Sequence, residues 1–330
     1  MVAPVCRAAS GRRARHAPGV RRSRLLLVPA LLTLLTASAC GTGSTGSAPA
    51  DTASTGGAAG VSTRQLDLRD PSRVTDPTPA EPGSDAVAGR DLPTTLWYPT
   101  SGDGPFPVVV LSHGFGAGPE AYLELAEAWA TAGAVVAAPT FPLTSGGSAM
   151  VDTDVTNQPA DVSFVLDQVL ALDDDADDDL AGRIDTAHVA VAGHSLGAIT
   201  TLGLLNSCCA DPRVDAAVVL AGDPRVFTAP AAEPGVPTLF VHGTADDVLP
   251  IAGGRAAYDA ATGAKAFVQL PGATHSAPYD DPSDQYSATV RTVTTDFLRW
   301  TLGGDAQALA DLRADAVVPG RAELVDDQLG

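Results

Sequence analysis

His188-Val189-Ala190-Val191-Ala192-Gly193-His194-Ser195-Leu196-Gly197 is a short apolar run that breaks at a Gly-x-Ser-x-Gly pentapeptide and continues with helical patterning to Asn206. A continuous valine and alanine run of this length suits a strand covered on both faces. Glycines at 193 and 197 allow a sharp turn with close backbone packing, and that turn lifts Ser195 above the sheet at the start of a helix. The pentapeptide alone says little in a chain with 33 glycines. Set between a strand and a helix, it predicts a nucleophilic serine. The helix that begins there also aims free N–H groups and the positive end of its dipole at any developing oxyanion.

The same alternation extends in both directions. Thr94–Tyr98, Val108–Ser112, Val135–Ala138, His188–Ala192, Ala216–Leu220, Thr238–Val241 and Ala266–Leu270 read as strands. Helical spacing marks Pro119–Ala132, Pro159–Leu172, Ser195–Asn206, Gly254–Ala261 and Ser283–Leu302. Strands and helices in turn predict an α/β domain: a mostly parallel twisted sheet with helices on both faces. In such sheets ligands sit beyond the carboxyl ends of the strands, so residues just past those ends are the candidates for chemistry.

A serine nucleophile needs a base, and the chain has six histidines. His16 lies in the leader described below, and His188 begins a strand far from the carboxyl edge. His194 neighbours Ser195 but should point away from it. His113 and His242 end strands and stay in play. His275, in Pro271-Gly272-Ala273-Thr274-His275 just past the last predicted strand, fits best. The base in turn needs a buried carboxylate to orient it. Asp246 and Asp247 follow the strand Thr238–Val241, and Asp223 follows Ala216–Leu220, so all three remain open on position alone.

The ends set the context. The first 24 residues hold seven arginines and no acid, and an apolar run from Leu25 to about Ala37 leads to Ser38-Ala39-Cys40. That order makes an export signal over 1–39, with an apolar core well short of the roughly 20 residues a membrane-spanning helix needs. Small residues directly before Cys40 resemble a bacterial lipobox, which implies acylation of Cys40 and residence at the extracytoplasmic face of the membrane; plain secretion is the alternative. Residues 40–60 are almost all Gly, Ser, Thr and Ala and read as a flexible tether. A single catalytic domain is expected over 61–320, with a tail over 321–330. The net charge of −19, more negative still without the leader, disfavours nucleic acid and anionic lipid. Membrane contact is therefore expected through the lipid anchor only, and a monomer is expected. Cys208 and Cys209 read as two small residues at a helix end, with a vicinal disulfide as the alternative. Six acids in Asp173–Asp179 lack the order of a calcium loop and read as a solvated loop, so neither metal nor cofactor is expected.

Leu96-Trp97-Tyr98-Pro99, Ser112-His113-Gly114-Phe115-Gly116, Pro159-Ala160-Asp161-Val162 and Gly193-His194-Ser195-Leu196-Gly197 together resemble one branch of the α/β-hydrolase superfamily. The branch includes dienelactone-hydrolase-like, platelet-activating-factor acetylhydrolase-like and cutinase-like polyester hydrolases. The resemblance covers roughly residues 90–320 and implies the α/β-hydrolase fold, with the triad in the order Ser, Asp, His. It selects Asp246, because segments of the form His-Gly-x-x-Asp-x-x-x-Pro carry the acid four residues before the proline. It also implies an oxyanion hole from the backbone N–H groups of Phe115 and Leu196. Phe115, Phe141 and Pro142 are candidates for an apolar substrate wall. Dienelactone hydrolases use cysteine, so Ser195 argues against that activity. Polyester hydrolases carry a tryptophan after the strand that here ends at Leu220, where this chain has Ala221-Gly222-Asp223-Pro224. The short Ala221–Gly235 segment leaves no room for a lid domain, so the site should be open.

These readings converge on a serine hydrolase that cleaves small or polymeric carboxylic esters through an acyl-enzyme. A peptidase or acyltransferase using the same residues, and a non-catalytic lipoprotein that binds an apolar ligand, are the competing expectations.

Overall fold

Val108-Val109-Val110-Leu111 has no polar break, so it can only be stable where both faces are covered. In the computed structural model, which describes residues 60–78, 83, 85–146 and 150–330, it forms β3 (Phe106–Ser112) in the middle of a mixed sheet. The expected export signal, Cys40 and nearly all of the tether lie outside the described residues. Nine strands are present among those residues. They are β1 (Val61–Thr75), β2 (Val87–Pro99), β3, β4 (Val135–Pro139), β5 (Ile184–His194), β6 (Val214–Leu220), β7 (Thr238–Gly243), β8 (Lys265–Leu270) and β9 (Glu323–Gln328), in the spatial order β1-β2-β4-β3-β5-β6-β7-β8-β9. The six strands from β4 to β8 run parallel, while β2 joins β4, β1 joins β2 and β9 joins β8 in antiparallel pairs.

Alternate side chains of the inner strands go to opposite faces, as the pleat requires. Val109, Leu111, Val136, Ala190, Val218 and Val241 pack with α1 (Leu123–Thr131) and α6 (Ser287–Gly303). Val108, Val110, Val135, Val189 and Val191 pack on the other side with Val162, Val165, Leu166 and Val169 of α2 (Gln158–Ala171). Also on that second side, Val219, Phe240 and Phe267 meet Ala198 of α3 (Leu196–Leu204) and Tyr258 of α4 (Ile251–Ala260). Helices thus cover both faces. Each fully buried Val, Leu or Phe contributes about 1.5–3 kcal/mol of transfer free energy, so this double layer carries most of the stability.

Two strands differ from expectation. β1 was not anticipated, and residues 321–330 are not a loose tail: Glu323–Gln328 pairs with β8, and Leu329 is fully buried. The reason is pairing. Both are outer strands in which polar and charged residues interrupt the few apolar ones, so their stability comes largely from a neighbour's backbone rather than from an apolar run. The expected last helix starts later, at Ser287, after the short α5 (Ala277–Asp280). Cys208 and Cys209 are bonded to each other as a disulfide, which corrects the reading of two separate thiols.

A buried ion cluster fastens the β1–β2 pair to the helix layer. Arg90 of β2 holds Asp161 through Nε and Nη2 at 2.7 and 2.6 Å, and Asp154 through Nη1 and Nη2 at 3.0 and 2.8 Å. Arg73 adds a bond to Asp161 and one of 2.7 Å to Asp70. Bidentate forks on both acids satisfy charges that would otherwise be costly to bury.

The chain leaves β3 for β4 on one side and resumes at β5 on the other, so the winding reverses between β3 and β5. Ser112 pairs with Gly193 across that junction. Crevices at the carboxyl ends of such a reversal are where open α/β sheets bind ligands, and Ser195 follows directly.

Candidate active site

Ser195 stands between β5 and α3 with φ 55° and ψ −118°. A non-glycine residue rarely adopts positive φ, and such strain costs about 1–3 kcal/mol. The surroundings impose it. The Ser195 N–H donates to the Leu220 carbonyl at 3.0 Å while its own carbonyl accepts from Ile199 N–H at 3.0 Å, starting the helix. A Cβ on Gly197 would lie 2.0 Å from the Ser112 carbonyl oxygen, and one on Gly193 would lie 2.2 Å from that of Gly197. Only glycine fits either place.

His275 and Asp246 reach this turn from loops after β8 and β7. The loops brace one another: Ala245 N–H donates to Ala273 O at 3.0 Å and Gly272 N–H to Thr244 Oγ1 at 2.7 Å. The result brings three distant residues into line. Ser195 Oγ lies 2.7 Å from His275 Nε2, and His275 Nδ1 lies 2.7 Å from Asp246 Oδ2. Asp246 is buried, and its second oxygen accepts the Val248 and Leu249 amides at 3.0 and 2.8 Å. A carboxylate held in this way fixes the proton on His275 Nδ1 and leaves Nε2 free to accept one from the serine.

The other candidates separate clearly. Asp247 is exposed, and Asp223 pairs with Arg225 at 2.9 Å. His113 is buried and committed at both nitrogens, with Nδ1 2.8 Å from the Gly114 carbonyl and Nε2 accepting from Phe141 N–H at 3.1 Å. His188 is exposed and pairs with Asp185. His242 lies 2.8 Å from Leu249 O and 3.2 Å from Asp246 Oδ2, both through Nε2, so it backs the carboxylate and does not touch the serine. Burial pushes its pKa down, which keeps it neutral with its proton on Nε2.

Phe141 does not face a substrate. It is fully buried among Leu92, Leu96 and Val162, with its ring 5.0 Å from that of His113, because its place past β4 falls inside the sheet–helix layer. Pro142 beside it is half-buried. The apolar residues adjoining the serine turn are instead Phe115, 45% exposed and next to Gly114, and Leu196, nearly covered at 9%. Around Phe115, Gly114 N–H goes to Tyr122 Oη and Gly116 N–H to Thr144 O, whereas no hydrogen bond among the described residues engages the Phe115 amide. Leu196 opens α3, where an N–H has no helical acceptor.

Two buried residues near the serine were given no role from the sequence: Tyr122 falls within a predicted helix, and His194 was expected only to point away from Ser195. His194 Nδ1 is 2.9 Å from Tyr122 Oη, and its Nε2 is 2.9 Å from the His275 carbonyl oxygen. Burial pushes the His194 pKa down to about 3, so the ring is neutral.

Against known proteins, a family model described as PETase: PET hydrolase-like matches residues 86–300, a span that holds Ser195, Asp246 and His275. No curated protein matches the chain.

Proposed function

The chain belongs to the PET hydrolase-like family, ester hydrolases of the α/β-hydrolase superfamily, and on that footing we propose that it is a serine esterase working through Ser195, His275 and Asp246. The observation that carries the assignment is the unbroken line of two 2.7 Å contacts from Ser195 Oγ through His275 to Asp246. His275 Nε2 takes the serine proton as Oγ bonds to the ester carbonyl carbon. The carbonyl oxygen becomes an oxyanion, received by the Phe115 and Leu196 amides. The alkoxide leaves with the proton from Nε2. A water then gives its proton to Nε2 and attacks the acyl carbon; the bond to Oγ breaks as Oγ takes that proton from Nε2, releasing the acid and restoring the serine.

Phe115 and Leu196 suit an apolar acyl or alcohol group. Ala221, buried with φ 48°, brings no aromatic ring to the turn after β6, so an accessible carboxylic ester, small or polymeric, is favoured over one clamped between aromatic rings. The Ala221–Gly235 segment carries no helix among the described residues, which supports an open site without a lid. An extracytoplasmic lipoprotein held by Cys40 completes the proposal.

Short-chain p-nitrophenyl esters test the chemistry: the wild type should turn them over and Ser195→Ala should not. A fluorophosphonate probe that leaves Ser195 unlabelled on folded protein would exclude a serine hydrolase. For the anchor, Cys40→Ser should abolish membrane association and globomycin-sensitive processing; retention of either removes that part.

A further inference from the structure

Tyr122 and His194 sit at the two sides of the nucleophile, and every polar atom they carry is used. The Gly114 N–H donates to Tyr122 Oη at 3.0 Å. With that oxygen accepting, its own proton is free to go to His194 Nδ1 at 2.9 Å. Nδ1 then accepts, so the neutral ring carries its proton on Nε2 and donates it to the His275 carbonyl at 2.9 Å. One direction of donation runs through the chain from the Gly114 amide to the backbone of His275. Bonds in such a series polarise and strengthen one another in a dry interior. The interior is dry: Tyr122 and His194 are 1% and 2% exposed.

The chain joins two loops that share no strand. Gly114 precedes the amide assigned above to the oxyanion hole, and a Cβ placed on it would stand 3.2 Å from Tyr122 Oη, 3.3 Å from His194 Nδ1 and 3.4 Å from Ser195 Cβ. At the other end is the residue assigned as base. The His194 ring also packs at 5.0 Å on that of His275 and at 4.8 Å on Tyr279, whose hydroxyl is tied to Val241 O at 3.1 Å. We propose that Tyr122 and His194 are positioning residues, a buried strut that sets the separation of the oxyanion loop and the base loop across Ser195. The proposal rests on the esterase reading. A displacement of about 1 Å between reacting groups can cost about a hundredfold in rate, which gives the strut its expected scale.

The test is kcat and KM on p-nitrophenyl butyrate, with sites counted by fluorophosphonate titration so that misfolded protein does not dilute the rate. Tyr122→Phe and His194→Leu should each lower kcat per titrated site about ten- to a hundredfold, with KM changed less than about threefold. His194→Gln, whose amide N–H can reach the His275 carbonyl, should recover part of what His194→Leu loses. The Tyr122→Phe/His194→Leu double variant should be no slower than the slower single, because both cut one chain. Singles within twofold of wild type, or multiplicative losses in the double, would overturn the strut while the esterase reading stands. If Tyr122→Phe does not fold, the contrast of His194→Gln with His194→Leu decides alone, and equal losses in those two also overturn it. Wild type as inert as Ser195→Ala sinks the esterase reading first, and the strut with it.

Discussion

Replacing Asp246 by asparagine tests the assignment of the acid at constant size. The carboxylate has two differently occupied oxygens: Oδ1 accepts the Val248 and Leu249 amides, and Oδ2 faces His275 Nδ1 at 2.7 Å and His242 Nε2 at 3.2 Å. An asparagine oxygen at the Oδ1 position keeps both amide bonds. Turning the side chain over would strand the buried Leu249 amide, at about 1–3 kcal/mol, and break the part-buried bond from Val248. The NH2 group therefore faces His275. A donor there drives the imidazole proton from Nδ1 to Nε2, where it points at Ser195 Oγ and cannot accept the serine proton. The wrong tautomer costs about 10⁴-fold in kcat, or about 5.4 kcal/mol of barrier. Thermal stability should change little, since the turn bonds persist. The assay is kcat on a p-nitrophenyl ester per titrated site, with Ser195→Ala as the floor. Asp247→Asn and Asp223→Asn should stay within about threefold of wild type, because neither carboxylate reaches His275. Asp246→Asn within tenfold of wild type, or a collapse in Asp247→Asn, would refute the reasoning.

Gly197→Ala should destabilise by about 1–3 kcal/mol or more, read by urea unfolding, because its Cβ meets the Ser112 backbone at 2.0 Å. Gly303→Ala, with nothing within 4 Å of the new methyl, should be neutral or slightly stabilising. Arg90→Met leaves Asp154 and Asp161 buried without their shared fork and should cost about 3–5 kcal/mol. Arg64→Met, which breaks a partly exposed pair with Asp178, should cost under about 1 kcal/mol. Asp296 has Oδ2 buried without a hydrogen-bond partner among the described residues, and burial together with Asp315 and Asp311 raises its pKa to about 6, against the pull of Arg299. Between about pH 4 and 6 the folded protein thus holds a proton the unfolded chain has lost, so this carboxyl costs stability as pH rises. Asp296→Asn should stabilise by about 1 kcal/mol at pH 8, allowing for solvent screening, and by nearly nothing at pH 4. Equal effects at both pH values would contradict that shift.

The parallel strands could be read from the sequence because burial on both faces forces uninterrupted apolar runs such as Val108–Leu111. The turn at Ser195 was legible for a related reason: glycines at 193 and 197 answer a steric demand that is local. β9 was not, since Glu323, Asp326 and Asp327 speak against a strand and only the free edge of β8 outweighs them. Asp246, Asp247 and Asp223 could not be separated by position, because the choice depends on which loop reaches His275. The sequence could say that His194 turns away from Ser195, but not that it meets Tyr122. Their partnership spans residues 72 positions apart and leaves no periodicity behind.

The two outermost strands among the described residues are also the most heavily charged. β1 carries Arg64, Asp67, Arg69, Asp70 and Arg73, and β9 carries Glu323, Asp326 and Asp327, with Arg255 and Arg313 drawn across to the last two. A free sheet edge is a template on which another chain can add a strand, and charge is what blunts it. The greasy strands that would polymerise most readily are all enclosed between these two. Strand addition at either end would have to desolvate those charges first, so the sheet is kept from growing by its least apolar strands.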